Sequence, residues 1–323
     1  MKRVTIKDIA AKAGVANSTV TNALNPESRK ISEEKRQEIL KIVEEMNYHP
    51  MKSAQNLSHK NKKVVGFIMR TSETFNDGLI NQKLIYYLNK YAHDKNLELV
   101  TIIISHDEEV GYKEMEKAIY EYNLTHVIIQ GLDIDDYIIN QVVDLKVPKI
   151  LIEIPIVNEM TKYISTDNFK AQVELTKKVV SENNVKKALY ITGFEGAYVS
   201  VEREAGFKHA AQKLNLDYDL VVGTFDRDKI FEKIQDVDLS KYDYIACGSD
   251  LIVATIAKRC QELKLENIVF SGFDGVDYLL YFEYKMYTVF QKIDLLSKEI
   301  IDMIISDNYE VKLIDYDITC TQK

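Results

Sequence analysis

The sequence predicts two fold classes in one chain: an N-terminal all-α helix-turn-helix headpiece, then an α/β body of two doubly wound parallel-sheet lobes. Three observations predict this. Residues 4–48 carry short apolar sets at helical spacing and no strand pattern. From Val64 onward, apolar strand runs alternate with amphipathic helices. The charge divides at the same place: residues 1–63 hold 13 Lys and Arg against 7 Asp and Glu, and the remainder 29 against 43. A chain of net charge −8 with a basic end suits a polyanion partner at that end alone.

In the headpiece, Thr5 precedes Ile6, Ile9, Ala10 and Ala13 on one helical face, and Gly14 stops that helix. Asn17 and Ser18 open a second short helix bearing Val20, Ala23 and Leu24, which Asn25 and Pro26 end. Ser32 caps a third, with Glu33 and Glu34 in its first turn and Ile39, Leu40, Ile42, Val43 and Met46 inward. Residues 50–63 are polar and basic, a linker with helical potential around 53–57. In the body, strands are expected at 64–69, 97–105, 126–130, 149–154, 188–192, 220–224, 244–247 and 268–272. Helices are expected at 79–95, 111–122, 135–145, 168–183, 202–214, 228–235 and 250–263. Some 260 residues exceed one open sheet, so two lobes with a ligand cleft at the strand C-termini are expected. A single (β/α)₈ barrel is the alternative.

The composition is that of a globular protein, 46% hydrophobic and 28% charged. No run approaches the ~20 apolar residues of a membrane helix, and the N-terminus lacks a signal-peptide core, so a cytoplasmic location without membrane contact is expected. Cys247, Cys260 and Cys320 form no CxxC or Cys/His pattern and read as free thiols; neither metal nor cofactor is expected. No GxGxxG or GxxxxGK[ST] occurs, and Gly248-Ser249-Asp250 is not a GxSxG elbow, so an enzyme is not expected.

Two short helices around a tight turn place the second in a DNA major groove, with Asn17, Ser18, Thr21 and Asn22 outward; topology alone also allows a plain three-helix packing domain. The literal motifs go further. Val4-Thr5-Ile6-Lys7-Asp8-Ile9-Ala10, Ala13-Gly14-Val15, Ser18-Thr19-Val20, Leu24-Asn25, Ile31-Ser32-Glu33-Glu34-Lys35-Arg36 and Met46-Asn47-Tyr48-His49-Pro50 resemble the headpiece of the lactose-repressor (LacI/GalR) family. The resemblance implies DNA contacts from Thr5, Asn17, Ser18, Thr19, Thr21, Asn22, Asn25, Arg29 and Tyr48. It also implies a hinge helix after Pro50 in which Ser53, Ala54 and Leu57 meet DNA, Leu57 as an apolar wedge in the minor groove. The family usually has Arg where Asn22 stands. Asn favours adenine, so an operator unlike the family's common half-site is expected.

The body resembles the family more loosely, and through it a type I periplasmic sugar-binding protein. Arg203-Glu204-Ala205-Gly206-Phe207, Ser249-Asp250, Gly272-Phe273-Asp274-Gly275 and Thr288-Val289-Phe290-Gln291 match its segments, as do Glu153 and the pair Asp167-Asn168. With Phe225 as the aromatic candidate, the expected effector-binding set is Glu153, Arg203, Phe225, Ser249, Asp250, Asp274 and Gln291. The family's Asn-Pro-Phe-Phe is missing at 76–82, and Lys292 replaces the proline after the crossover Gln.

These readings divide the chain into a headpiece (1–49), a hinge (50–63) and an effector-binding, dimerising body (64–323) that crosses between lobes near 160 and 290. The implied function is a repressor under a small sugar-like effector, binding double-stranded DNA at a pseudo-palindromic operator as a homodimer. A corepressor-type regulator using a phosphocarrier protein, or a purine- or nucleoside-sensing member, is the alternative. No leucine heptad follows the last strand, which favours a plain dimer.

Overall fold

The computed structural model describes residues 4–25, 28–46, 48, 63–70, 78–133, 139–281, 283–306 and 311–321. Ser53, Ala54 and Leu57, expected to form the hinge, lie outside them. The chain forms two compact units, 1–62 and 63–323.

The first unit has three helices: α1 (Ile6–Ala13), α2 (Asn17–Leu24) and α3 (Glu33–Glu45). Thr5 and Asp8 form a reciprocal capping box at the start of α1. Gly14 ends α1 at φ 63, a left-handed conformation a side chain would strain. Ser32 caps α3 through the Lys35 amide. Ile9, Ala10, Val20, Ala23, Ile39 and Tyr48 form the core.

The second unit holds two six-stranded sheets, which overturns the single-barrel alternative. The first lobe's elements are β1 (Val64–Arg70), α4 (Gly78–Asp94), β2 (Glu98–Ile104), α5 (Glu108–Glu121), β3 (His126–Gln130), α6 (Ile139–Asp144), β4 (Lys149–Ile152) and β5 (Thr161–Thr166). The second lobe's are α7 (Asn168–Glu182), β6 (Lys187–Ile191), α8 (Tyr198–Leu214), β7 (Asp217–Val221), α9 (Arg227–Ile234), β8 (Tyr244–Cys247), α10 (Asp250–Glu262), β9 (Val269–Asp274) and β10 (Lys285–Gln291). The chain returns to the first lobe with α11 (Ile293–Ser306) and β11 (Lys312–Ile314), then crosses at Asp315 to end in the second with β12 (Tyr316–Thr321). Strand orders are β11-β5-β4-β3-β1-β2 and β12-β10-β9-β8-β6-β7; the pairs are parallel except β10 with β12.

Each sheet buries both faces, as parallel sheets require. In the first lobe, Phe67 and Met69 face Leu84 and Ile300, while Ile68 and Val127 face Met115 and Val142. In the second, Leu189 and Ile245 face Ile230 and Ile256, while Tyr190 and Tyr244 face Leu175 and Phe207. Helices α7 and α8 approach so closely that a Cβ on Gly206 would stand 2.5 Å from the Phe169 carbonyl oxygen. Lys149, within an apolar strand, is fully buried; its Nζ donates to the Val143 and Leu145 carbonyls and to Thr161 Oγ1. Burial lowers its pKa to about 8.

The structure departs from the sequence reading at the crossings. β5 was not expected because an eight-residue loop without a helix joins it to β4, and Thr161-Lys162-Tyr163 looks polar. β7 starts three residues earlier than expected, an edge strand whose exposed positions blur the apolar run.

Phe207 stacks on Tyr190 with ring centroids 4.4 Å apart and meets Tyr218 edge-on at 5.3 Å. Phe207→Ala is expected to destabilise the second unit by about 3–5 kcal/mol in chemical denaturation.

Candidate functional site

The residues singled out by sequence gather in two places: the outer side of α2, and the C-terminal ends of the body strands.

On α2, Val20 and Ala23 are buried, Asn17, Ser18 and Thr21 exposed, and Thr19 and Asn22 half-buried. The residue preceding it, Ala16, supplies no side-chain cap, so the first-turn amides have no side-chain acceptor. Thr21 Oγ1 donates to the Asn17 carbonyl at 3.0 Å, and Asn22 Oδ1 accepts from Ser28 Oγ at 3.1 Å. Arg36 of α3 donates to the carbonyls of Ala23, Asn25 and Ser28, fixing the loop that leaves α2. Thr5 is committed to capping α1, its hydroxyl donating to Asp8 Oδ2 at 2.7 Å. Asn25 follows α2, and Arg29 is exposed. Tyr48 packs in the headpiece core at 9% exposure, a packing residue rather than an outward-facing one.

In the body, Arg203 reaches from α8 to the strand ends and is 3% exposed. Its Nε donates to Asn168 Oδ1 at 2.9 Å and its Nη1 to the Gly248 carbonyl at 2.7 Å. Asp274 Oδ1 lies 3.9 Å from Nη1, and the guanidinium sits 3.7 Å over the Phe273 ring. Gln291 joins the lobes: Nε2 donates to Asp274 Oδ1 at 2.8 Å, and Oε1 accepts from Thr166 Oγ1 at 3.2 Å. From the first lobe, Lys83 donates to the Gly275 carbonyl at 3.4 Å. Glu153 follows β4 at φ 71, and Asp274 ends β9 at φ 122, both unusual for side-chain-bearing residues. Phe225 lies against Gly193 at the end of β6, where a Cβ would meet its ring at 2.4 Å.

The structure redirects two expected residues. Asp250 is fully buried; its oxygens accept from Thr288 Oγ1 at 2.8 and 3.0 Å and from the Val276 amide at 3.0 Å, bracing the loop after Asp274. Ser249 is 3% exposed and caps α10 through the Ile252 amide. Each supports the site from behind, because the turn after β8 carries both side chains inward. Sequence reasoning missed Asn168 and Thr166 as partners, and Arg70 and Gln130 at the first lobe's strand ends. Arg70 donates to the His106 carbonyl and lies 3.7 Å from Asp133; Gln130 donates to Asn81 and leaves Oε1 buried without a partner. A polar residue closing an apolar strand run was the available signal.

Burial raises the pKa of Glu153, Asp274 and Asp250. The Arg203 charge opposes this at Glu153 and Asp274, while the Asp274 charge adds to it at Glu153 and Asp250. The strand ends thus gather one guanidinium, carboxyls whose pKa burial raises, and an amide. Among the described residues, no His, Cys, Asp or Glu cluster is placed to hold a metal ion, and no helix is long and apolar enough to cross a membrane.

Residues 5–51 match the family described as bacterial regulatory proteins, lacI family. The HTH-type transcriptional repressor PurR of Vibrio vulnificus (strain CMCP6) is 24% identical over 301 residues, 89% of this chain and 86% of that protein. The sucrose operon repressor of Lactococcus lactis subsp. lactis is 24% identical over 334 residues, 95% of this chain and 96% of that protein. Among solved structures, the lac repressor dimer bound to operator and the anti-inducer ONPF matches with TM-score 0.82 at 16% identity, over 98% of both chains, a likeness of fold. Headpiece and body together define a DNA-binding transcription regulator. Residues 5–51 carry the lacI-family model, and the chain is similar along most of its length to regulators of transcription.

Because burial raises the Glu153 pKa, the folded chain holds that proton more tightly than the unfolded one. The group's contribution to stability is full below the ordinary carboxylate range and is lost as pH rises through the raised value. Glu153→Gln is therefore expected to raise the melting temperature by a few degrees at pH 8 and by less at pH 5. Equal effects at both pH values would contradict the assignment.

Proposed function

We propose that the chain is a repressor that binds a pseudo-palindromic DNA operator as a homodimer and is controlled by a small, sugar-like effector in the interlobe cleft. Residues 1–49 read the operator, 50–63 form the hinge, and 64–323 bind effector and dimerise. α2 enters the major groove with Asn17, Ser18, Thr21 and Asn22 toward the bases, supported by Thr5, Thr19, Asn25, Arg29 and Tyr48. Ser53, Ala54 and Leu57 of the hinge meet the minor groove. The protein acts in the cytoplasm, without catalysis.

The observation that carries the effector reading is the buried Arg203–Asp274–Gln291 network where the two lobes meet. A guanidinium beside a carboxylate and an amide supplies donors and acceptors in pairs, matching adjacent sugar hydroxyls. Glu153 faces the same group from the first lobe, and Phe225 offers a ring for the apolar face of a sugar. The sucrose operon repressor's likeness across 95% of the chain supports a carbohydrate.

The test is thermal unfolding of the full chain with sugars, sugar phosphates and purines. A neutral sugar at 100 times its Kd is expected to add about 2.7 kcal/mol of stability. Asp274→Ala is expected to abolish that shift and leave operator binding intact. A shift retained in the variant removes Asp274 from the site, and a shift from purines alone replaces the sugar reading.

A further inference from the structure

The Asn22 side chain carries one carbonyl oxygen and one amino group, and the two recognise opposite features of a base edge. A free Asn pairs with adenine by using both, accepting from N6 and donating to N7. In this structure the amide is not free. Ser28 Oγ accepts from the Lys30 backbone amide at 3.4 Å and lies 3.1 Å from Asn22 Oδ1. The hydroxyl donates its own proton to Asn22 Oδ1. Ser28 is itself held, because its carbonyl receives Arg36 Nη2 at 2.5 Å. Arg36 also grips the carbonyls of Ala23 and Asn25, on either side of the turn out of α2. The partner that orients Asn22 is therefore part of a braced loop and not a loose surface hydroxyl.

We propose that Ser28 is a specificity-positioning residue: it turns the Asn22 carbonyl toward the loop, so that Asn22 meets the operator as a hydrogen-bond donor. This rests on the reading that α2 contacts bases. The amide is planar, so an oxygen drawn toward residue 28 leaves the amino group as the leading end. No described residue takes up the Nδ2 hydrogens. A donor-only contact selects a base edge rich in acceptors, N7 and O6 of guanine or O4 of thymine, and loses the bidentate pairing that favours adenine. Thr21, the neighbour on the exposed side, is set with the opposite polarity. Its hydroxyl proton goes to the Asn17 carbonyl at 3.0 Å, leaving lone pairs to accept from a base amino group. Local hydrogen bonds thus assign a donor at 22 and an acceptor at 21 before DNA arrives.

The experiment is selection of binding sites from randomised duplexes by the full chain, its Ser28→Ala and Ser28→Thr variants, and Asn22→Ala. The base pair under Asn22 is the one whose preference disappears in Asn22→Ala. The wild type is expected to select guanine or thymine there. Ser28→Ala frees the amide and is expected to shift the preference toward adenine by about tenfold at that position. Ser28→Thr keeps the hydroxyl and is expected to keep the wild-type preference, which separates orientation of Asn22 from a general weakening of the headpiece. Adenine selected by the wild type, or identical preferences for wild type and Ser28→Ala, overturns the proposal. A chain that selects no sequence overturns the underlying base-reading assignment as well.

Discussion

A guanidinium withdrawn from water organises the body of this protein. A guanidinium taken out of water must be supplied with hydrogen-bond partners, and Arg203 is 3% exposed. It draws them from three different elements: Asn168 at the start of α7, the Gly248 carbonyl after β8, and Asp274 at the end of β9. Those are the points where the second sheet presents its strand ends and where the chain has just crossed from the first lobe. Asp274 in turn holds Gln291, and Gln291 holds Thr166. The two crossing strands β5 and β10 are thereby tied to the same charge. Asp250 fixes the backbone beyond Asp274 from a fully buried position, so the carboxylate facing Arg203 cannot drift.

This arrangement also connects Gln291 with the start of the body. Helix α11 begins two residues after Gln291, and the Ile304 carbonyl in its last turn accepts from Lys63 Nζ at 2.6 Å. Lys63 is the last residue of the segment proposed as the hinge. If the proposed effector alters the Gln291 contacts, it acts at one end of a helix whose other end holds Lys63. A rotation of lobes about paired crossing strands is a known repertoire for such coupling, and Lys83 on the Gly275 carbonyl gives the lobes a further contact that closure would shift.

Much of this was legible in the sequence, for physical reasons. Apolar runs with period-matched helices gave the alternating body, and the Thr5, Gly14 and Ser32 signals gave the headpiece helices. The crossing strands β5 and β12 were not legible, because they lack the apolar continuity of central strands. Arg203, Asp274 and Gln291 stand together at the strand ends. Ser249 and Asp250 stand in the expected turn with both side chains buried, and sequence position at a strand end does not reveal that depth. Asn168 was visible as a helix start, yet only the fold brings it to Arg203, 35 residues away. Asn22 shows the same limit on a smaller scale: its chemistry was readable, its orientation by Ser28 was not.

The central claim is that cleft and headpiece are coupled through one chain. The most direct measurement is the affinity of the full chain for its selected operator, with and without saturating amounts of the sugar that raises its melting temperature. Coupling predicts a change of about 5–150-fold between the two conditions. Identical operator affinity with the cleft filled and empty would contradict the account.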